Sequence, residues 1–236
     1  MDFDASHACF SEIKEKIREL GKKDVGTLLD IGGATGWYTT RLKKDSPKTR
    51  MVVMDMNFGM QLNPDLEYVR GNMLSLPFKN GSFDAVTAMA SLHHVHDRIG
   101  DVLDDINRVL SRGGTFLTAE PCARNAFVNF AKCIFVTDKH DEYEKAFDPD
   151  EFSCAVSDRF RIVEKSHYFY FSYLLPHIVA RMPGILKRMG VNITKTVYRI
   201  DSAMLKNMPG IRNRSAYVLI MAVKELTAQV QPDDSK

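Results

Sequence analysis

Four short stretches of the chain are predominantly apolar, and each is followed by residues that favour turns. They comprise residues 27–31, 50–54, 85–89 and 115–119. Apolar runs of this length are typical of strands buried on both faces of a parallel sheet, whereas half-exposed strands alternate. Helical spacing appears between them, as in residues 101–110, and Asp148 followed by Pro149 is typical of a helix start. The pattern predicts an α/β fold.

The last third of the chain departs from this alternation. Residues 159–171 and 215–224 predict a closing pair of strands, and the connection between them is too long to lack structure in a compact domain. Within it Leu175, Ile178, Val179 and Met182 recur at helical spacing, and a second such series follows. Residues 172–214 are therefore predicted to form a helical cap over the cleft.

The first apolar stretch ends in a turn made of small residues. Residues 28–36 read Leu-Leu-Asp-Ile-Gly-Gly-Ala-Thr-Gly, and a helix is predicted to begin near Trp37. Small side chains let a ligand approach the backbone, and Asp30 stands where a ligand can be held from below. The second strand also ends in a carboxylate, Asp55, from which an acid in a βαβ unit commonly binds the ribose hydroxyls. Together these features predict a nucleoside ligand.

The spacing of the small residues distinguishes between nucleoside cofactors. A dinucleotide-binding G-x-G-x-x-G frame would fall on Gly32, Ala34 and Trp37, and a Trp at the close-packing position disfavours it. A phosphate-binding Gly-Lys-Ser/Thr sequence does not occur. The spacing Asp30-x-Gly32-x-Ala34-x-Gly36 instead resembles motif I of the class I S-adenosylmethionine-dependent methyltransferases.

The resemblance continues downstream through residues 67–78, 82–86, 92–95 and 108–114, whose order is similar to that of the family's small-molecule branch. It implies a doubly wound seven-stranded sheet, mostly parallel with an antiparallel last strand, and helices on both faces. The helical cap is then an insertion before the last strand. We expect a single methyltransferase domain over residues 1–236, with residues 1–23 as an amphipathic N-terminal helix and residues 172–214 as the cap.

The resemblance also implies which residues bind S-adenosyl-L-methionine. Asp55, with Met56 beside it, would hold the ribose, and Asn72 with the backbone of Met73 would hold the adenine. The methionine part would lie against the turn and the backbone near Ala88. The full set is Asp30, Gly32, Gly33, Ala34, Gly36, Asp55, Met56, Asn72, Met73, Ala88 and Met89. Two members depart from the family pattern: Ala34 replaces a glycine, and Asn72 replaces an aspartate but still offers a carbonyl oxygen.

The sequence gives weaker evidence for catalytic residues than for cofactor-binding residues. Methyl transfer from a sulfonium depends mainly on alignment, so no catalytic dyad is expected. If the acceptor is a hydroxyl, a base is needed, and His93, His94, Glu120 and His167 are all candidates. We expect no metal, because the spacing of the histidines at 93, 94 and 96 with Asp97 fits no closed zinc set.

Composition and charge limit the cellular location and the partners that we expect. The 236 residues carry a net charge of +2, and no uncharged apolar run is long enough for a membrane span. We expect a cytoplasmic protein with no nucleic-acid partner. Its four cysteines, Cys9, Cys122, Cys133 and Cys154, lack metal-ligand spacing and are predicted to be reduced and buried.

The cap has a charge of its own. Residues 172–214 contain eight basic residues and one acid, which gives the segment +7 in a chain of +2. This charge predicts an anionic or amphiphilic acceptor, or peripheral contact with a membrane, although a solvated helix face has the same signature.

The function predicted from the sequence is therefore methyl transfer to a small-molecule or lipid-like acceptor. A non-catalytic S-adenosylmethionine sensor or partner subunit shares the same motifs and stays an alternative. An oxidoreductase using a nicotinamide dinucleotide is a third reading, which Trp37 disfavours.

Overall fold

The computed structural model describes residues 25–58, 62–129 and 145–225. Its strands are β1 (Thr27–Ile31), β2 (Arg50–Asp55), β3 (Glu67–Arg70), β4 (Phe83–Met89), β5 (Leu110–Pro121), β6 (Arg161–Tyr168) and β7 (Tyr217–Val223). They form one sheet in the order β3-β2-β1-β4-β5-β7-β6. β1 to β5 are parallel, and β7 lies antiparallel between β5 and β6. The predicted mostly parallel sheet with an antiparallel last strand is confirmed.

Helices connect these strands. They are α1 (Trp37–Asp45), α2 (Ile99–Val109), α3 (Pro149–Ser157), α4 (Leu175–Ala180), α5 (Gly184–Asn207) and α6 (Pro209–Arg212), and a 3₁₀ segment, Leu92–Arg98, precedes α2. The predicted start of α3 is confirmed, because the Asp148 carboxylate accepts hydrogen bonds from the N–H groups of Asp150 and Glu151. The predicted N-terminal helix, Cys9 and Cys133 lie outside the described residues.

Each face of the sheet carries its own apolar core. Leu29 belongs to the core that α2 and α3 cover, and its neighbour Leu28 belongs to the core that contains Leu42 of α1 and Tyr198 of α5. Successive side chains of a strand point to opposite faces. A strand covered on both faces is therefore apolar at consecutive positions, which is the pattern seen in the sequence.

The inserted helices α4, α5 and α6 lie between β6 and β7 in the chain. Val179 of α4 packs against Gly190 of α5 so closely that a Cβ on Gly190 would lie 2.7 Å from a Val179 methyl group. Tyr198 then joins α5 to the core beneath it. Among the described helices, none combines the length and the apolar character that crossing a membrane requires.

The two described cysteines differ in burial. Cys122 is buried and Cys154 is exposed, and both are free thiols. The prediction of buried thiols is therefore wrong for Cys154, because Cys154 lies on the solvent side of α3 while Phe152 and Val156 fill the core.

Candidate functional site

The strand order reverses between β1 and β4, and the connections that follow the two strands lead in opposite directions. In open α/β sheets such a switch point opens a crevice at the carboxyl ends of the strands, where ligands bind. The turns after β1, β2 and β4 all lie at this edge. The predicted cofactor residues on these turns are thus gathered in one place.

The turn after β1 depends on small residues. Gly32, Ala34 and Gly36 have φ angles of 69°, 47° and 70°, in the left-handed region that glycine adopts freely. Gly33 has a different constraint, because a Cβ there would lie 2.5 Å from Asp30 Oδ2 and 2.7 Å from a Val53 methyl carbon. A larger side chain at this point would displace the turn from β2. The turn therefore presents mainly backbone to the crevice.

The Asp30 carboxylate lies beneath this turn. It is 2% exposed and accepts hydrogen bonds from the hydroxyls of Thr39 and Thr87, the latter at 3.0 Å. Burial raises the pKa of Asp30 to about 6, although the two hydroxyl groups oppose the shift. Asp30 thus supports the turn from below through Gly33, and the neighbouring threonines had no signal in the sequence that marked them as its partners.

Asp55 ties two turns together. Its Oδ2 accepts a hydrogen bond from the Ala34 N–H at 2.9 Å, and its Oδ1 accepts one from the Asn57 N–H at 2.9 Å. A carboxylate oxygen has two lone pairs, so each oxygen keeps one for a ribose hydroxyl. The neighbouring Met56 side chain is 59% exposed at the same edge. This arrangement fits the ribose role predicted for Asp55.

The predicted adenine residues lie on the turn after β3. The Asn72 Oδ1 accepts a hydrogen bond from the Leu74 N–H at 3.0 Å, which occupies one of its two lone pairs. Met73 is partly buried, and its Cε lies 3.8 Å from the position of a Cβ on Gly32. The structure therefore brings Met73 against the turn after β1, and it gives the Asn72 oxygen a structural partner that the sequence did not indicate.

The end of β4 forms the other wall of the switch point. Ala88 is fully buried and pairs with Ile31, and Met89 follows it. Ala90 then turns with φ 51° and donates its N–H to Ala119 O at 2.8 Å. Ser91 was not predicted, yet its hydroxyl donates to Ile31 O at 3.0 Å, which ties this wall to β1.

Glu120, at the end of β5, organises the segment that follows β4. It is fully buried and accepts hydrogen bonds from the N–H groups of Ser91, Leu92 and His93 at 3.0, 2.9 and 3.3 Å. Its Oε2 also lies 2.9 Å from His93 Nδ1. A carboxylate at this position accepts, so we assign the proton of a neutral His93 to Nδ1, which leaves Nε2 as the basic nitrogen.

The four candidate bases therefore separate into two places. The His94 ring lies beside that of His93, with the centroids 4.3 Å apart. His167 instead lies on β6, two strands from Glu120 through Val218, or roughly 10 Å at the usual strand spacing. Burial and the charges of Lys165 and Arg212 lower the pKa of His167 to about 4, and its Nδ1 lies 3.0 Å from Ser215 Oγ. The structure joins three of the candidates and leaves His167 apart.

Comparison with known proteins agrees with this geometry. Residues 29–118 match the family model described as a methyltransferase domain. A ubiquinone/menaquinone biosynthesis C-methyltransferase from Methylobacterium nodulans is 36% identical over 104 residues, which are 39% of this chain and 41% of the relative. A demethylmenaquinone methyltransferase from Beutenbergia cavernae is 34% identical over 106 residues, 43% of each chain. The chain thus spans about two fifths of the length of these relatives.

Solved structures share the fold over most of the chain. A putative methyltransferase from Bacillus halodurans has a TM-score of 0.58 at 16% identity, covering 91% of this chain and 100% of that one. The geranyl diphosphate C-methyltransferase of Streptomyces coelicolor has a TM-score of 0.58 at 20% identity, covering 91% and 77%. The matched domain, the sheet order and the turn after β1 together support a class I S-adenosylmethionine-dependent methyltransferase fold for residues 29–118.

Proposed function

We propose that this chain transfers the methyl group of S-adenosylmethionine to a lipid-like small molecule. The observation that carries the proposal is the convergence of the turn after β1 with Asp55, through the hydrogen bond from the Ala34 N–H. The Asp55 carboxylate, which would bind the ribose, therefore lies against a backbone surface that tolerates no larger side chain at Gly33. Such a cradle suits a nucleoside with a short chain attached. Bound there, the cofactor supplies an electrophilic methyl group on a positively charged sulfur.

The cradle would orient the cofactor along the switch point. Asp55 would hold the ribose, the turn after β3 with Asn72 and Met73 would hold the adenine, and the backbone near Ala88 would face the methionine part. The edge of β1 and β4 would then direct the reactive end of the cofactor toward the segments that carry Glu120 and His93. Orientation of this kind supplies roughly 7 to 11 kcal/mol of a transfer barrier.

His93 is the base that we propose for an acceptor with a hydroxyl group. Its Nε2 would remove the hydroxyl proton while the acceptor takes the methyl group, and the proton would pass from Nε2 to water after S-adenosylhomocysteine leaves. Glu120 would hold the ring in place and stabilise the positive charge that the ring gains, because its Oε2 lies 2.9 Å from Nδ1. His94 would be a neighbour of the base, and His167 would take no part.

Two observations support a lipid-like acceptor. Two curated relatives are named as a ubiquinone/menaquinone biosynthesis C-methyltransferase and a demethylmenaquinone methyltransferase. The segment 172–214, predicted as a cap over the cleft, is helical, basic and rich in apolar residues. We infer that the chain is one domain with this cap, that it works in the cytoplasm, and that the cap meets lipid peripherally.

The experiment that tests the function combines binding with turnover. S-adenosylhomocysteine should bind in calorimetry and NAD should not. With a reduced naphthoquinone carrying a short isoprenoid chain as acceptor, His93→Gln should lower kcat by roughly 100-fold or more and leave the affinity for S-adenosylhomocysteine unchanged. His96→Gln is the matched control, because His96 lies on the same 3₁₀ segment but beside Asp97.

Each alternative function predicts a different result. Binding of NAD without S-adenosylhomocysteine would overturn the cofactor assignment. Tight binding of S-adenosylhomocysteine, with no methylation of the quinol or of any compound in a lipid extract, would identify a sensor. Equal kcat values for His93→Gln and His96→Gln would remove His93 from the mechanism.

A further inference from the structure

Helix α5 presents three faces with different chemistry. At about 100° per residue, residues that share a face recur every three or four positions. The face packed on the domain contains five buried residues: Gly190, Thr194, Tyr198, Asp201 and Leu205. Asp201 anchors it, because its Oδ2 accepts hydrogen bonds from the N–H groups of Tyr170, Phe171 and Ser172 at 2.7 to 2.9 Å. This anchor fixes which sides of the helix face outward.

The second face is apolar and exposed. We call it the apolar stripe, and it consists of Leu186, Met189, Ile193 and Ile200, which are 48%, 63%, 55% and 52% exposed. Their spacing of three, four and seven residues places all four within an arc of about 60°. Single exposed apolar residues are common on protein surfaces, but several on one side of one helix mark an interaction site.

The third face is basic. Lys195, Arg199 and Lys206 are exposed and lie within an arc of about 40°, roughly 120° around the helix from the packed face. The described residues provide no ion-pair partner for these three cations. The only acidic residue of α5 is Asp201, which is fully buried and held by the domain. The outward surface of α5 thus has an apolar edge and a cationic edge, with the uncharged residues Asn192, Thr196 and Ala203 exposed between them and no carboxylate of its own.

We propose that this outward surface of α5 binds the surface of an anionic lipid bilayer. An interfacial helix inserts an apolar face into the boundary between headgroups and acyl chains and places Lys and Arg side chains against anionic headgroups. The apolar stripe and the basic face provide these two contacts, and the anchored third face keeps the helix attached to the domain. The biological purpose of this binding rests on the proposed function. An enzyme bound to a bilayer would reach a lipid-like acceptor within the membrane itself.

Charge complementarity selects the bilayer over other occupants of the stripe. A second copy of this chain would bring the same cations against each other, because a two-fold interface pairs identical surfaces. A neutral apolar partner would leave Lys195, Arg199 and Lys206 unmatched. An anionic bilayer satisfies the stripe and the cations together, and their long aliphatic stems allow the charges to reach the headgroups.

The experiment measures sedimentation of the full chain with two kinds of vesicle at low and high salt. The chain should bind vesicles of phosphatidylcholine mixed with phosphatidylglycerol and bind pure phosphatidylcholine weakly, and high salt should reduce the binding. Reversal of the charges in Lys195→Glu/Arg199→Glu should weaken binding by roughly 30-fold or more. Polar replacement in Met189→Gln/Ile193→Gln should weaken it to a similar degree.

Matched controls carry the same changes elsewhere on the surface. Lys79→Glu/Arg112→Glu reverses one Lys and one Arg that are exposed near the amino ends of β4 and β5. Val163→Gln replaces an apolar residue of β6 that is 51% exposed. Both controls should bind vesicles as the wild type does.

The outcomes separate this inference from the proposed function. A chain that binds S-adenosylhomocysteine but not anionic vesicles contradicts the inference alone, and the reverse result contradicts the proposed function alone. Equal loss of binding in the α5 variants and their controls would also overturn the inference. So would a stable dimer in sedimentation velocity that Met189→Gln/Ile193→Gln dissociates, because the stripe would then be the contact between two copies.

Discussion

Asp55 shows what one residue contributes to the candidate site. Its place at the end of β2 could be predicted, because carboxyl ends of parallel strands meet at one edge. Its bond from the Ala34 N–H could not, because that contact depends on the left-handed conformation of Ala34. The carboxylate therefore both joins two turns and offers lone pairs to a ligand.

We predict that Asp55→Ala weakens S-adenosylhomocysteine binding by at least about 100-fold. Two hydrogen bonds from hydroxyl groups to a charged acceptor are lost, each contributing about 1.5 to 3 kcal/mol. Calorimetry measures the affinity, and the melting midpoint checks the fold, which should change little because Ala34 and Asn57 are exposed. Asp65→Ala, at an exposed acid before β3, is the control. Wild-type affinity in folded Asp55→Ala would exclude the ribose role.

The limits of sequence reasoning at this scale have a common cause. His93 and Glu120 are 27 residues apart in the chain, and only the pairing of β4 with β5 brings them together. The sequence offered four candidate bases of equal standing for this reason. Asn72 differs from these candidates, because the resemblance singled it out as an adenine-binding residue. Its hydrogen bond from the Leu74 N–H could still not be predicted.

At the scale of elements, the apolar centres of the strands were predicted correctly, but the residues at which the strands begin and end were not. β5 was expected over residues 115–119 but runs from Leu110 to Pro121. Gly113 and Gly114 within it are typical of a turn, yet Leu110 pairs with Phe83 of β4 before the glycines. The register with β4 then shifts to the pair Ala85 and Thr115, and Gly113 has a φ of 73°, so the glycines form a bulge within the strand and keep their turn conformation.

One buried carboxylate of α5 binds the backbone of the segment after β6. Asp201 accepts four hydrogen bonds at Oδ2, three from backbone N–H groups and one from the Ser172 hydroxyl at 2.6 Å. Replacement by a neutral amide removes the charge that strengthens them. We therefore predict that Asp201→Asn loosens this attachment while the sheet stays folded.

Hydrogen exchange measures the effect. Loss of about 1.5 kcal/mol or more lowers the protection of the Tyr170, Phe171 and Ser172 amides by about tenfold or more. Amides of β1 and β4 should keep their protection. Asp104→Asn removes an exposed ion pair with Arg159 and should leave all of these amides unchanged. Unchanged protection at 170–172 in Asp201→Asn would contradict the anchoring role.

For the whole molecule, the fold class could be predicted from the sequence more readily than the strand order and the packing of the inserted helices. Apolar runs of consecutive residues require cover on both faces, and this alone gives a sheet between two helix layers. The position of β7 between β5 and β6 has no local signal and was not predicted, since the resemblance implied only that the last strand is antiparallel. The packing of α5 on the domain depends on Tyr198 and Asp201, whose contacts lie 29 or more residues away in the chain.

Buried Asp30 and partly buried His167 make opposite contributions to the stability of the whole molecule as pH changes. Asp30 has its pKa raised from 3.8 to about 6, so the folded state binds a proton more tightly and stability falls as pH rises through this range. The size is about 3 kcal/mol at 1.36 kcal/mol per pKa unit. His167 has its pKa lowered from 6.5 to about 4, so the unfolded state binds the proton more tightly and stability rises with pH.

Because the two contributions oppose each other, we predict that replacing one group exposes the pH dependence that the other group gives to the free energy of unfolding. Between pH 4 and 6.5, the free energy of unfolding of Asp30→Asn should rise more steeply with pH than that of the wild type, and that of His167→Gln should rise less or fall. The double variant should return close to the wild-type slope. The two contributions are similar in size and opposite in sign, and effects at remote sites add. Urea unfolding at a series of pH values measures the slopes, and a carbon-13 titration of the Asp30 carboxyl gives its pKa in the unaltered protein. Parallel curves for the wild type and both single variants, or an Asp30 pKa near 4, would show that burial does not perturb these groups.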